Sequence, residues 1–124
     1  MAVKRKAPVS YTRKTLEYLR GQGCHVEKVE HFNPHAGPHG VRHDAFGFMD
    51  LLVIDPEGKF IIGVQSTGPS GHPEHKRKIL ANEFAEEWLD CGGKIQLWSW
   101  RKLKEGNRLR WRPRIEEITL EMFE

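Results

Sequence analysis

The stretch Phe46–Thr67, FGFMDLLVIDPEGKFIIGVQST, decides how the rest of the chain is read. It reads as two hydrophobic strands, residues 46–54 and 59–66, joined by a tight turn at Pro56-Glu57-Gly58. Both strands are apolar on both faces, which predicts a central position with helices covering them. Each also carries a polar group where packing alone would not place one. Asp50 lies between Met49 and Leu51, and Gln65 follows Ile61, Ile62 and Val64. A carboxylate inside an apolar strand is costly unless a proton, a partner or a metal compensates it. Period-two alternation puts Phe46, Phe48, Asp50, Leu52 and Ile54 on one face, and Gly63, Gln65 and Thr67 on one face of the next strand. Pairing as a hairpin would bring Asp50 and Gln65 side by side near one end. Asp50 could then hold a divalent cation through its carboxylate and Gln65 through its carbonyl oxygen. The competing reading of Asp50 is a strand-end carboxylate capped by backbone N–H groups.

Outward from this hairpin, Tyr11 to Arg20 reads as a helix capped by Ser10 or Thr12 and stopped by Gly21 and Gly23. Thr12, Thr15, Leu16 and Leu19 share its buried side, and Glu17 falls on the far side. Residues 24–32 alternate as a first strand. Residues 33–45, with Pro34, Gly37, Pro38 and Gly40, read as a loop. Pro73 opens a long second helix ending at Cys91-Gly92-Gly93, with Leu80, Ala81, Phe84, Ala85, Trp88 and Leu89 as its apolar face. Lys94 to Trp100 is a further strand, and Leu109 to Trp111 its hairpin return after the Glu105-Gly106-Asn107 turn. The tail from Ile115 fits a short strand or a helix. These elements predict one α/β domain over residues 10–124, with a mixed central sheet flanked by helices and a basic arm over residues 1–9.

The chain of 124 residues carries a net charge of +3, with pI about 9.0 and mean hydropathy -0.63. This mild excess permits an anionic partner without requiring one. Its distribution says more. Lys4, Arg5 and Lys6 form one basic cluster, His75, Lys76, Arg77 and Lys78 a second, and Arg108, Arg110, Arg112 and Arg114 a third. Acidic residues gather at Glu83, Glu86 and Glu87 and from Glu116 onward. Cys24 and Cys91 have neither metal-ligand spacing nor a disulfide framework, which suits a reducing cytoplasm. No apolar run is long enough to span a membrane, and no apolar segment follows the basic N-terminus as in a signal peptide. The expectation is a soluble cytoplasmic protein.

His31, His35, His39 and His43 recur every four residues. The intervening prolines and glycines exclude the helix that would make them one metal-binding face, so a polar loop is expected. Trp98, Trp100 and Trp111 interleave with Arg101, Arg110 and Arg112. Aromatic strand residues usually pack. The alternative is a ribbon facing DNA or a second copy, with the arginines on phosphates.

The order α-β-β-β-α-β, with Asp50 on the second strand and a polar motif on the third, resembles the PD-(D/E)xK nuclease superfamily and its restriction-endonuclease-like core. The chain is more closely similar to small phage and archaeal-type Holliday junction resolvase-like members. These carry Asp-x-Phe-Gly-Phe-x-Asp, here Asp44 to Asp50, Val-Gln-x-Thr, here Val64 to Thr67, and Arg-Lys-Ile, here Arg77 to Ile79. Two positions depart from the superfamily pattern. Gln65 stands where the third strand carries an acid, and Thr67 where it carries lysine.

The resemblance implies a Mg²⁺- or Mn²⁺-dependent endonuclease acting on branched DNA as a homodimer, in the host cytoplasm if phage-encoded. Asp50 and Gln65 would be its metal ligands. In related families the second helix supplies the missing cation, and here it offers Lys76, Arg77 and Lys78. On a helical wheel anchored at Ala81 and Ala85, Lys76 points to solvent, Lys78 borders the buried face, and Arg77 lies nearer its centre. Lys78 is therefore chosen as the catalytic cation and Arg77 as a phosphate clamp. Glu30 and Asp44 are accessory acids or structural groups. Arg101, Arg110 and Arg112 are the other expected DNA contacts. The replaced pair at Gln65 and Thr67 supports an alternative, a nuclease fold without cleavage that binds DNA or a protein.

Overall fold

The computed structural model describes residues 9–123. The basic arm expected over residues 1–9 lies outside them except for Val9. In chain order the elements are α1 (Tyr11–Gly21), β1 (His25–Lys28), β2 (His31–Asn33), β3 (Val41–His43), β4 (Leu51–Asp55), β5 (Phe60–Thr67), α2 (His72–Leu80), α3 (Glu83–Asp90), β6 (Lys94–Glu105) and β7 (Arg108–Ile118). A turn of 3-10 helix follows at Leu120–Met122. Among the described residues no helix is long and apolar enough to cross a membrane.

The central hairpin forms as its sequence predicts, with Leu51 opposite Val64 and Asp55 opposite Phe60. The Asp55 side chain accepts from the Gly58 N–H at 3.1 Å and holds the turn. A five-stranded sheet is built around it in the order β1-β4-β5-β6-β7. Only β5 and β6 run parallel, because α2 and α3 carry the chain over between them. The alternation of β5 separates two layers. Ile62 and Val64 face α1 and pack with Leu19, Val26, Leu51, Val53, Trp98 and Trp100. The opposite face packs Phe48, Met49, Ile95, Leu97 and Ile118 against Ile79 of α2 and Ala85 of α3. The result is a mixed α/β architecture with three α-helices among the described residues. In α1, Ser10 accepts from the Arg13 N–H at 3.2 Å, and Thr15 and Leu19 are buried as expected.

Several boundaries differ from the sequence reading. The first strand stops at Lys28, because the N–H groups of Val29 and Glu30 both turn to the Asp50 carbonyl, at 2.9 and 3.2 Å. The chain restarts as β2, and the expected loop contains β3, which pairs with β2 from His31↔His43 to Asn33↔Val41. Residues 46–49 form a turn rather than the start of a strand. Ala45 and Met49 exchange backbone hydrogen bonds at 2.9 and 3.0 Å, and Phe46 and Gly47 take positive φ of 54° and 80°. The long second helix is two helices. Asn82 caps a new N-terminus by accepting from the Phe84 and Ala85 N–H groups at 2.8 and 3.0 Å. Its amide also donates to the Phe46 carbonyl at 3.0 Å and ties that turn to α3.

Finally, β6 and β7 are much longer than the runs seen in sequence, and the tail continues as β7 to Ile118. The last β5 residue, Thr67, lies opposite Ser99. Beyond it, β6 pairs only with β7, and a two-stranded ribbon extends past the sheet to the Gly106-Asn107 turn. Gly106 at φ 62° opens that two-residue loop, as a hairpin turn of matching twist requires.

Candidate functional site

Asp50 sits one residue before β4, and backbone bonds fix it on both sides. Its carbonyl receives the Val29 and Glu30 N–H groups, and its own N–H donates to the Val64 carbonyl at 2.8 Å. The carboxylate is 4 % exposed and accepts the Ser66 N–H at 2.8 Å. Two further acids close around it, so that ligand oxygens of Glu30, Asp44 and Asp50 lie within 4.8 Å of one another. Asp44 comes from the turn before β4. Glu30 comes from the break between β1 and β2, with its side chain 7 % exposed and paired to Lys28 at 3.6 Å and Arg42 at 3.8 Å.

Burial pushes the Asp50 carboxyl from 3.8 up to about 8, and the neighbouring Asp44 and Glu30 add to the rise. The Ser66 N–H opposes it by favouring the anion. Among the described residues the groups that act on Asp50 are the two acids and the Ser66 N–H, while Lys28 and Arg42 pair with Glu30. The Asp50 carboxyl therefore holds a proton at neutral pH or needs a further positive charge. Its donors are all carboxylate oxygens, the ligand type that hard divalent cations take.

Gln65 lies on the adjacent strand as the hairpin register requires, but its amide N–H donates to Asp44 Oδ2 at 3.1 Å. In this arrangement it holds Asp44 in the cluster, instead of presenting a carbonyl oxygen there. Thr67, two residues on along the same face of β5, is buried at 8 % exposure.

The α2 cations sit differently from the sequence expectation. Lys76, expected in solvent, is half-buried and donates to Glu116 of β7 at 2.8 Å. Arg77, expected nearer the centre of the apolar face, is exposed. The Lys78 side chain is 67 % exposed and pairs with Glu74 at 3.6 Å. The reason is the break at Asn82. A wheel phased on Ala81 and Ala85 describes one continuous helix, whereas α2 ends at Leu80 and buries His72 and Ile79.

Sequence reasoning missed the group that seats α2. His72, 4 % exposed, bridges Ser99 Oγ at 2.8 Å and Glu116 Oε1 at 2.7 Å through its two ring nitrogens. Lys76 and His72 together hold the Glu116 carboxyl below its usual range. The available signal was a histidine one helical turn before a lysine. Glu116 had no signal, because it lies 44 residues away in a tail of uncertain type. A second polar line stays on the α1 side, where Thr15 Oγ1 accepts from Ser66 Oγ and from Trp100 Nε1, both at 2.8 Å.

Other predicted groups are not among the three clustered acids. Glu17 is exposed and paired with Arg13 at 2.9 Å, as its wheel position implied. His31, His35, His39 and His43 are all exposed on the small ribbon and its loop. Trp98 and Trp100 are buried and Trp111 is half-buried, which is the packing role. Arg101, Arg110 and Arg112 are exposed on the long ribbon, and the last two pair with Glu105. No family model, curated protein or solved structure matches this chain.

Proposed function

We propose that this chain is a metal-dependent endonuclease with a restriction-endonuclease-like core of the PD-(D/E)xK kind, acting on branched DNA as a homodimer. The observation that carries the reading is the buried Asp50, locked by Ser66 and crowded by Glu30 and Asp44. A fold that needed only a strand end there would have no use for three converging carboxylates, since each raises the cost of the others. The donor set fits Mg²⁺ or Mn²⁺, with Glu30, Asp44 and Asp50 as its holders and Gln65 fixing Asp44. A divalent cation bound there polarises the scissile phosphate and lowers the pKa of a water. Lys78, exposed on α2, is the cation for phosphate charge, with Arg77 beside it. The ribbon bearing Arg101, Arg110 and Arg112 supplies sequence-independent phosphate contacts.

The test is cleavage of a four-way junction by the wild type and Asp50→Ala, with Mg²⁺ or Mn²⁺ and with chelator. Metal-dependent product lost in Asp50→Ala, with the variant still folded, supports the reading. Retained cleavage sinks it. One observation favours a second reading, a nuclease fold that binds without cutting: β5 presents Gln65 and Thr67 where an acid and a cation would serve the chemistry. Tight, salt-dependent junction binding with no product under any metal would select it.

A further inference from the structure

We propose that His75 is the proton acceptor of this site, taking the proton of the attacking water beside the strand position that Thr67 occupies. The inference rests on the endonuclease reading and adds a residue to it. The two histidines of α2 differ in one respect. Both ring nitrogens of His72 are engaged, by Ser99 and Glu116, so its proton has a fixed place. His75, one turn on, has a buried Nδ1 with no hydrogen-bond partner among the described residues. A buried polar atom without a partner is a cost that folds seldom keep. A neutral imidazole keeps one ring nitrogen with a free lone pair, and no hydrogen bond commits the His75 Nδ1.

The placement fits the role. Thr67 Oγ1 and His75 Cδ2 both lie within 3.3 Å of the point where a Cβ on Gly71 would stand. The glycine thus lets α2 bring the imidazole against the end of β5. Thr67 shares its face with Gln65, which holds Asp44, and the Asp44 charge acts on His75. The His72–Glu116–Lys76 linkage brackets His75 by one turn on one side and one residue on the other, and so fixes the ring's approach. Around it stand Glu74, Lys78 and His72 of α2 and Asp44 of the turn before β4. Burial and then Lys78 hold the imidazole below its usual 6.5, which favours the neutral ring that can accept a proton. In the step, the water oxygen forms its bond to phosphorus while its proton passes to His75. The bond from phosphorus to the leaving ester oxygen breaks, that oxygen takes a proton from solvent, and no electron is transferred.

The experiment compares wild type and His75→Gln on a four-way junction with Mn²⁺, measuring kcat and KM separately from pH 5 to 9. Proton-transfer groups contribute roughly 100-fold or more. The expected result is a kcat loss of that order with KM within about threefold, and loss of the acid limb of the wild-type pH profile. A second measurement does not depend on turnover: Mn²⁺ titrated into wild-type protein should broaden the His75 ring resonances before those of His25, at the far end of β1. Unchanged kcat and pH profile in His75→Gln overturns the inference and leaves the endonuclease reading standing. A His75 resonance no more broadened than that of His25 also overturns it. A wild type that cuts nothing with any metal overturns both.

Discussion

Replacing Asp50 by Asn should make the metal-free protein more stable, and the gain should depend on pH. The unfolded carboxyl loses its proton near 3.8, whereas the folded one keeps it to about 8. Between these values the unfolded state binds fewer protons, so stability falls as pH rises through the window. At about 1.4 kcal/mol per pH unit, the full gap corresponds to roughly 6 kcal/mol above pH 8. Asn keeps an acceptor for the Ser66 N–H and removes the charge. Coupling to Asp44 and Glu30 spreads part of the cost over the cluster, so about half of it, ~3 kcal/mol, should be recovered. For a chain of this size that is a Tm rise of roughly 10 °C. The assay is thermal unfolding by circular dichroism in chelator at pH 8.5 and pH 5. The difference should shrink to about 1 kcal/mol at the lower pH, where the folded carboxyl is already protonated. Added Mg²⁺ should raise the wild-type Tm at pH 8.5 and leave Asp50→Asn where it was. An equal gain at both pH values, or none at pH 8.5, would refute the argument that buried charge is the dominant cost.

Glu116→Gln should destabilise the fold by about 1–3 kcal/mol at pH 7, because it weakens the bonds to His72 and Lys76. Its carboxyl is held below 4.5 in the folded state, so this contribution is present above that value and is lost as pH falls through the folded one. Wild-type and variant denaturation curves should therefore converge in acid. Lys59 adopts φ 62° in the central turn, so Lys59→Gly should stabilise the protein by about 1 kcal/mol in urea unfolding. Changing Arg101, Arg110 and Arg112 together to Ala should flatten the salt dependence of junction binding by about 2–3 in log–log slope, with Tm nearly unchanged because all three are exposed.

The central hairpin, α1 and the mixed sheet flanked by helices were legible because period and turn chemistry act locally. Asp50 stood out for the same reason, as one acid in an apolar run. The α2–α3 break was harder. It depends on Asn82 capping a new helix while holding the Phe46 carbonyl 36 residues away. Once the helix broke there, its rotational phase changed, and with it the places of Lys76, Arg77 and Lys78.

The sequence by itself determined the layers of this protein, its buried strands, and the one carboxylate whose burial demands compensation. Tertiary structure decided what surrounds that carboxylate. Glu30 enters because β1 ends on the Asp50 carbonyl, and Asp44 because Gln65 holds it from the next strand. Farther along β5, His75 lies beside Thr67 because Gly71 lets a helix seated by Glu116 approach it. None of these pairings has a period or a local propensity to announce it. Each depends on strand register and helix phase, which are fixed only when the two faces of the sheet are packed at once.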